Sequence, residues 1–250
     1  AGLDVKSMSE TCTKVFILEV MGRNSGWIAA SAGLSKEKAN DPPHIILFPE
    51  VPFNKSKVLK RVTSSIKRYG YCVMAVSEGT RYKNGTFLSD AGLTDAFGHK
   101  QLGGIAPKIS SLIQESLGYK CHWAVSDYLQ RSARHIASKV DLQQSLAVGE
   151  AAVKFALSGE NSVMPVIIRN KGKSYTWKIG KIPLSRVANI EKVLPKRYIS
   201  KDGFGITKSC KNYMLPLIQG EAFPPYENGV PTIAKLRNIL VKKKLKKFII

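Results

Sequence analysis

The chain has 250 residues, 44% of them apolar, which allows one large α/β domain or two small ones and excludes global disorder. Lysine and arginine total 39 against 18 aspartate and glutamate, a formal charge of +21. That surplus suits an anionic partner such as nucleic acid, an acidic surface or a phosphorylated metabolite, although a general lysine bias that keeps the protein soluble produces the same balance.

No apolar run has the length of a bilayer span, and no secretory signal opens the chain. Cys12, Cys72, Cys121 and Cys210 lie far apart without a C-x-x-C pair. They read as reduced, mostly buried thiols of a cytosolic protein and give poor support to a zinc site.

Strand and helix signals alternate along the chain. "KVFILEV" (14–20) is a short run rich in β-branched residues, followed by the small, helix-like "SGWIAASAGL" (25–34). "HIILFPE" (44–50) is a second buried-strand run, stopped by Pro49. Residues 54 to 69 carry Val58, Val62, Ile66 and Tyr69 at helical spacing, with Asn54 as N-cap and Gly70 as stop. "YCVMAVSEG" (71–79) is a third strand, and a Gly- and Asp-rich segment runs from Thr80 to Gly104. Ile105, Ile109, Leu112, Ile113 and Leu117 then mark a helix closed by Gly118.

"KCHWAV" (120–125) is a fourth strand. A helix from about Asp141 to Leu157 comes next, with Leu142, Leu146, Val153 and Leu157 among its apolar positions, and "SVMPVIIRN" (162–170) is a fifth strand. After Lys171 the pattern loosens, up to the basic run "VKKKLKKF" (241–248), which reads as a solvated end. The alternation predicts an α/β fold: three layers, with a mostly parallel sheet covered by helices on both faces.

Ligands of such sheets sit outside the carboxyl ends of the strands. Strand one runs into "EVMGRNSG", strand three into "SEG" and strand four into "SDYLQRSARH". Three strand ends therefore offer an arginine, a glutamate, and a tyrosine with an arginine. Arginines fork onto phosphate oxygens, carboxylates accept hydrogen bonds from sugar hydroxyls, and glycines let a ligand approach the backbone. By composition this fits a phosphorylated sugar, among other ligands.

At these residues the chain resembles the phosphofructokinase family. "VFILEVMGRNSGWIA", "PEVPF" (49–53), "SEG" (77–79), "FGHKQLGG" (97–104) and "DYLQRSARH" (127–135) occur together and in order. "DYLQRSARHIASKVD" and "ISKDGFGITKSC…LPLIQGE" are more similar to the pyrophosphate-dependent branch than to the ATP-dependent bacterial enzymes. The resemblance covers nearly the whole chain. It implies Met21, Gly22 and Arg23 against fructose 6-phosphate and the transferring phosphoryl group, Glu78 on sugar hydroxyls, and Tyr128 with Arg131 on the sugar phosphate. Residues 1–129 would be the fructose 6-phosphate-binding part. Residues 130–250 would be a C-terminal part packing back toward a donor-binding domain, with a basic tail at 241–250.

The same resemblance implies magnesium as cofactor, pyrophosphate or ATP as donor, and a homo-oligomer, at least a dimer, in the cytoplasm. It implies no membrane partner, and nothing beyond charge points to nucleic acid. The family's Gly-rich phosphate loop and its T-I-D motif, with the general base and the magnesium-associated aspartate, are expected upstream of Ala1. No catalytic residue and no metal ligand is therefore assigned within the chain. Its activity would be that of a diphosphate–fructose-6-phosphate 1-phosphotransferase, with an ATP-dependent 6-phosphofructokinase or a non-catalytic sugar-phosphate-binding subunit as alternatives, and the 250-residue stretch alone is expected to be inactive.

Lys14 and His122 stand where many ATP-dependent relatives place arginines that reach a neighbouring subunit. His44, His99, His122 and His135 lack metal-ligand spacing and read as structural, and Trp27, Trp123 and Trp177 read as packing residues.

Overall fold

The computed structural model describes residues 1–94, 100–102, 104–172 and 174–245. After a short helix α1 (Gly2–Met8), the chain alternates through β1 (Val15–Val20), α2 (Trp27–Ser31), β2 (Ile45–Leu47), α3 (Lys55–Tyr69) and β3 (Cys72–Ser77). A two-stranded ladder, β4 (Asp90–Thr94) and β5 (Lys100–Leu102), precedes α4 (Ile105–Leu117) and β6 (Cys121–Val125). The order of the main sheet is β2-β3-β1-β6, and every neighbouring pair runs parallel.

Alternation along the strands sends side chains to two cores. Val15 and Ile17 of β1, Ile45 and Leu47 of β2, and Cys72, Met74 and Val76 of β3 pack on Val58 and Val62 of α3 and on Ile105, Ile109 and Ile113 of α4. Each such side chain contributes about 1.5–3 kcal/mol over leaving it exposed. The opposite face holds Ile46 and Phe48 against Ala29 and Ala30 of α2 and Cys210 and Met214 of α7 (Lys208–Met214). Helices thus cover both faces, as the alternation implies.

The expected helix ends are built as their chemistry requires. Asn54 Oδ1 accepts from Lys57 N at 3.0 Å, and Gly70 closes α3 at φ 86°, a left-handed conformation open to glycine. Gly118 closes α4 in the same way at φ 71°.

Beyond β6 the structure departs from the alternation. After α5 (Leu129–Ser132) comes α6 (Lys139–Leu157), then β7 (Val163–Arg169) and β8 (Trp177–Pro183). The fifth strand does not extend the parallel sheet but pairs antiparallel with β8. The chain between them spans only residues 170–176, too short for the crossover that a parallel partner needs. Helix α6 also turns its apolar stripe outward: Leu146, Val153 and Leu157 are exposed, while Gln144 and Ala151 are buried. The Gln144 amide donates to the Tyr175 hydroxyl at 2.5 Å, so a polar contact toward the β7–β8 side fixes the face that packs.

Trp123, expected as a packing residue, is 47% exposed on the sheet's outer strand β6, next to an exposed His122. Three cysteines are buried, but Cys12 is exposed. Residues 241–245 are exposed, and the rest of the basic run lies outside the described residues. Among the described residues no helix is long and apolar enough to cross a membrane.

His44 is structural, as its sequence context suggests. It is buried, its Nδ1 accepts the Val73 N–H at 3.0 Å, and its Nε2 lies 3.3 Å from the Asn40 carbonyl. That pair of bonds places the proton on Nε2 and leaves no room for a second on Nδ1. Burial, with Lys36 nearby, lowers its pKa from 6.5 to about 4. Between those values the unfolded chain binds a proton that the folded chain refuses, so stability falls as pH falls through the window and is unaffected by His44 above it.

From about pH 7 to about pH 5 this group should remove roughly 2 kcal/mol of stability. His44→Gln offers the same acceptor and donor without a titration. Urea unfolding at both pH values should show the variant losing correspondingly less. Equal losses would show that His44 does not titrate as described.

Candidate functional site

The strand order makes the three candidate strand ends neighbours. Val20 is in register with Ser77, and Glu19 with Val125. Two backbone bonds tie the adjoining loops together: Glu78 N to the Val20 carbonyl at 3.0 Å, and Ser126 N to the Glu19 carbonyl at 3.0 Å.

The turn after β1 is held from several sides. Gly22 N donates to Glu78 Oε1 at 3.0 Å, and the Ser77 hydroxyl donates to the Gly22 carbonyl at 2.7 Å. Gly22 sits at φ 141°, where a Cβ would lie 2.7 Å from the Ser25 carbonyl oxygen. Gly79 has even less space: a Cβ there would fall 1.8 Å from the Arg23 carbonyl oxygen. The glycines of "MGR" and "SEG" are therefore required by the approach of one loop to the other.

Sequence reasoning missed three side chains that hold the segments around these strand ends. Arg81 Nη2 donates to the Arg23 carbonyl at 3.0 Å and to Asn24 Oδ1 at 2.8 Å, and its guanidinium stacks 4.6 Å from the Phe87 ring centroid. Glu50 Oε1 accepts from Gly26 N at 2.9 Å and from Leu194 N at 2.7 Å, tying the end of the turn to residues 191–194. Lys192 strengthens that tie, because its carbonyl accepts from the Ser25 hydroxyl and the Trp27 indole. The Arg23 guanidinium, by contrast, has no hydrogen-bond partner among the described residues.

Glu19 is the third. It is buried, and its two oxygens accept from Gly104 N at 3.1 Å and Ala106 N at 2.9 Å. Helix α4 starts at a glycine with no side chain to cap it, so this carboxylate from β1 serves instead. Burial pushes the Glu19 carboxyl above the usual carboxylate range despite those two N–H donors, and the Glu78 carboxylate adds to the rise. A charged residue inside "VFILEV" was the available signal, because such a group needs a buried partner.

Tyr128 and Arg131 come together at α5. Both are exposed, and the Arg131 guanidinium lies over the Tyr128 ring at 4.4 Å. Asp127, at φ 38°, turns the chain from β6 into this helical segment. Of the candidate motif "FGHKQLGG", residues 97–99 and 103 lie outside the described residues, as does His99. Lys14 Nζ donates to the Ser9 carbonyl of its own chain.

Among the described residues, no group of three or more His, Cys, Asp or Glu side chains could hold a metal. Both oxygens of Glu19 accept from backbone donors, and Glu78 Oε1 accepts from Gly22 N.

The fold and site define a three-layer α/β protein in which polar, glycine-shaped loops meet at the carboxyl ends of parallel strands. The phosphofructokinase family profile matches residues 3–156, and the chain belongs to that family. It is 56% identical over 248 residues to a pyrophosphate–fructose 6-phosphate 1-phosphotransferase of Halomonas elongata, covering 99% of this chain and 59% of the relative. The same enzyme of Methylococcus capsulatus is 50% identical, with 98% and 58% covered. The crystal structure of a pyrophosphate-dependent phosphofructokinase from Nitrosospira multiformis superposes with a TM-score of 0.87 at 50% identity, covering 99% of this chain and 59% of that one. The chain thus spans less than two thirds of the length of these relatives.

Proposed function

We propose that this chain carries the fructose 6-phosphate side of a pyrophosphate-dependent phosphofructokinase, acting in the cytoplasm. The observation that supports this most is the turn Met21–Gly22–Arg23, locked by Glu78, Ser77 and Arg81 while the Arg23 guanidinium has no partner among the described residues. A cation held ready beside a sugar site suits phosphoryl transfer, where charge moves in the transition state. Similarity to pyrophosphate-dependent relatives across the whole chain supports pyrophosphate, not ATP, as donor.

In this reading the sugar's 1-hydroxyl oxygen attacks the terminal phosphorus of pyrophosphate in line, the bond to the leaving phosphate breaks, and the hydroxyl proton leaves to a base outside the described residues. Tyr128 and Arg131 hold the 6-phosphate, Glu78 receives sugar hydroxyls, and Arg23 faces the moving phosphoryl group. Donor and magnesium belong to the part of the relatives that this chain does not span. The exposed stripe Leu146, Val153 and Leu157 on α6 gives that part an apolar surface to pack on.

The experiment assays the chain alone, and joined to the unmatched part of the Halomonas elongata relative, with fructose 6-phosphate, magnesium and either donor. The joined protein should turn over with pyrophosphate, and the chain alone should not exceed background. Turnover by the chain alone, or by the joined protein with ATP only, would overturn the reading.

A further inference from the structure

Glu50, in the motif "PEVPF", brings a fourth strand end to the turn that carries Arg23. It is the third residue past β2, beyond a fully buried Phe48, and β2 lies beside β3 in the sheet. Gly26 stands at the start of α2, which has no side-chain cap of its own, and donates its N–H to Glu50 Oε1. Carboxylates therefore clamp the turn on both sides of Arg23: Glu78 holds Gly22, and Glu50 holds Gly26. The approach at Gly26 is close, because a Cβ there would lie 2.7 Å from Glu50 Oε2 and 3.0 Å from the Phe48 ring.

The same oxygen also accepts from Leu194 N, and Leu194 is 1% exposed in the core that α2 covers. From that anchor, residues 191–194 run along Asn24–Trp27 as a strap. The Asn24 amide donates to Glu191, the Ser25 hydroxyl and the Trp27 indole donate to the Lys192 carbonyl, and the Lys192 ammonium lies 5.9 Å from the Trp27 ring centroid. Those side-chain bonds sit at exposed positions where water competes, whereas both bonds to Glu50 are partly buried and charge-assisted. Glu50 Oε2 is buried without a partner among the described residues. A serine or asparagine beside Gly26 could cap α2 without that desolvation cost. What the distant glutamate adds is the second amide, Leu194, and with it the tie to the strap.

We infer that Glu50 is a positioning residue for phosphoryl transfer: by holding Gly26 and Leu194 on one oxygen, it fixes the Arg23 turn against the strap 191–194. It touches no reacting group and acts through Arg23, so the inference rests on the role proposed for Arg23 above. A guanidinium aimed at a moving phosphoryl group loses much of its effect when its backbone shifts by about 1 Å. The strap comes from the carboxyl-terminal part of the chain, so Glu50 makes the placement of Arg23 depend on a segment far from it in sequence.

The test compares Glu50→Ala, which leaves both amides without an acceptor, with Glu50→Gln, which keeps a carbonyl oxygen for them. In the 250-residue chain, hydrogen exchange at Gly26 and Leu194 should accelerate about tenfold or more in Glu50→Ala and stay near the unsubstituted rate in Glu50→Gln, with Ala106 on α4 as the unaffected control. In the joined enzyme, Glu50→Ala should lower kcat by roughly tenfold to a hundredfold with little change in the KM for fructose 6-phosphate, and Glu50→Gln should recover most of it. In an Arg23→Ala background, Glu50→Ala should add no further loss. Ser25→Ala removes one exposed strap bond without threatening the fold, and should lower kcat about threefold in the same sense. Unchanged exchange at Gly26 and Leu194, a loss that Glu50→Gln does not relieve, or losses that multiply with Arg23→Ala would overturn the inference. The exchange rates judge the tie without reference to catalysis. Their failure is thus distinct from an Arg23→Ala enzyme with unaltered kcat, which would sink the reading of Arg23 and the positioning role with it.

Discussion

Arg23→Ala in the joined enzyme should lower kcat on the order of a hundredfold, with a much smaller change in the KM for fructose 6-phosphate. The backbone around Arg23 is fixed without its side chain. Arg81 holds its carbonyl, and Ser77 and Glu78 hold Gly22. Deleting the guanidinium therefore leaves the turn in place and removes only a charge. A charge that acts on the moving phosphoryl group is felt mainly in the transition state, and so in kcat. An unchanged kcat with only a raised KM would make Arg23 a ground-state binding residue. Arg81→Ala is the companion variant: it loosens the turn with Arg23 intact, so it should impair both parameters.

Signals carried by adjacent residues were legible in the sequence. Asn54 and Gly70 bound α3, Gly118 ends α4, and "MGR", "SEG" and "DYLQR" follow three strands that lie side by side. The illegible features depend on partners far away in the chain. Glu19 reaches α4 across 85 residues, and Glu50 reaches Leu194 across 144, so neither role shows in its own neighbourhood. The β4–β5 ladder hid in a Gly- and Asp-rich segment with little strand propensity. Helix α6 misled for a different reason. Its apolar residues suggest a buried face, but the tertiary contact runs through Gln144 and Ala151. The fifth strand had a correct span and the wrong partner, because pairing direction is set by the connection that comes after it.

In the function proposed above, the chain reads a sugar phosphate through the pair at α5. Arg131 supplies two forked donors, and its stacking on Tyr128 at 4.4 Å holds that fork while leaving both side chains exposed to a ligand. Arg131→Lys keeps the charge but loses the fork and should be impaired. Tyr128→Phe keeps the ring that Arg131 stacks on and should cost only about 1 kcal/mol. The most direct measurement is a titration of the unsubstituted chain and of Arg131→Ala with fructose 6-phosphate and with fructose. The unsubstituted chain should prefer the phosphorylated sugar, and Arg131→Ala should erase that preference by on the order of a hundredfold, as expected for losing two bonds to a charged group. Equal binding of the two sugars by the unsubstituted chain, or a preference that survives Arg131→Ala, would contradict the account.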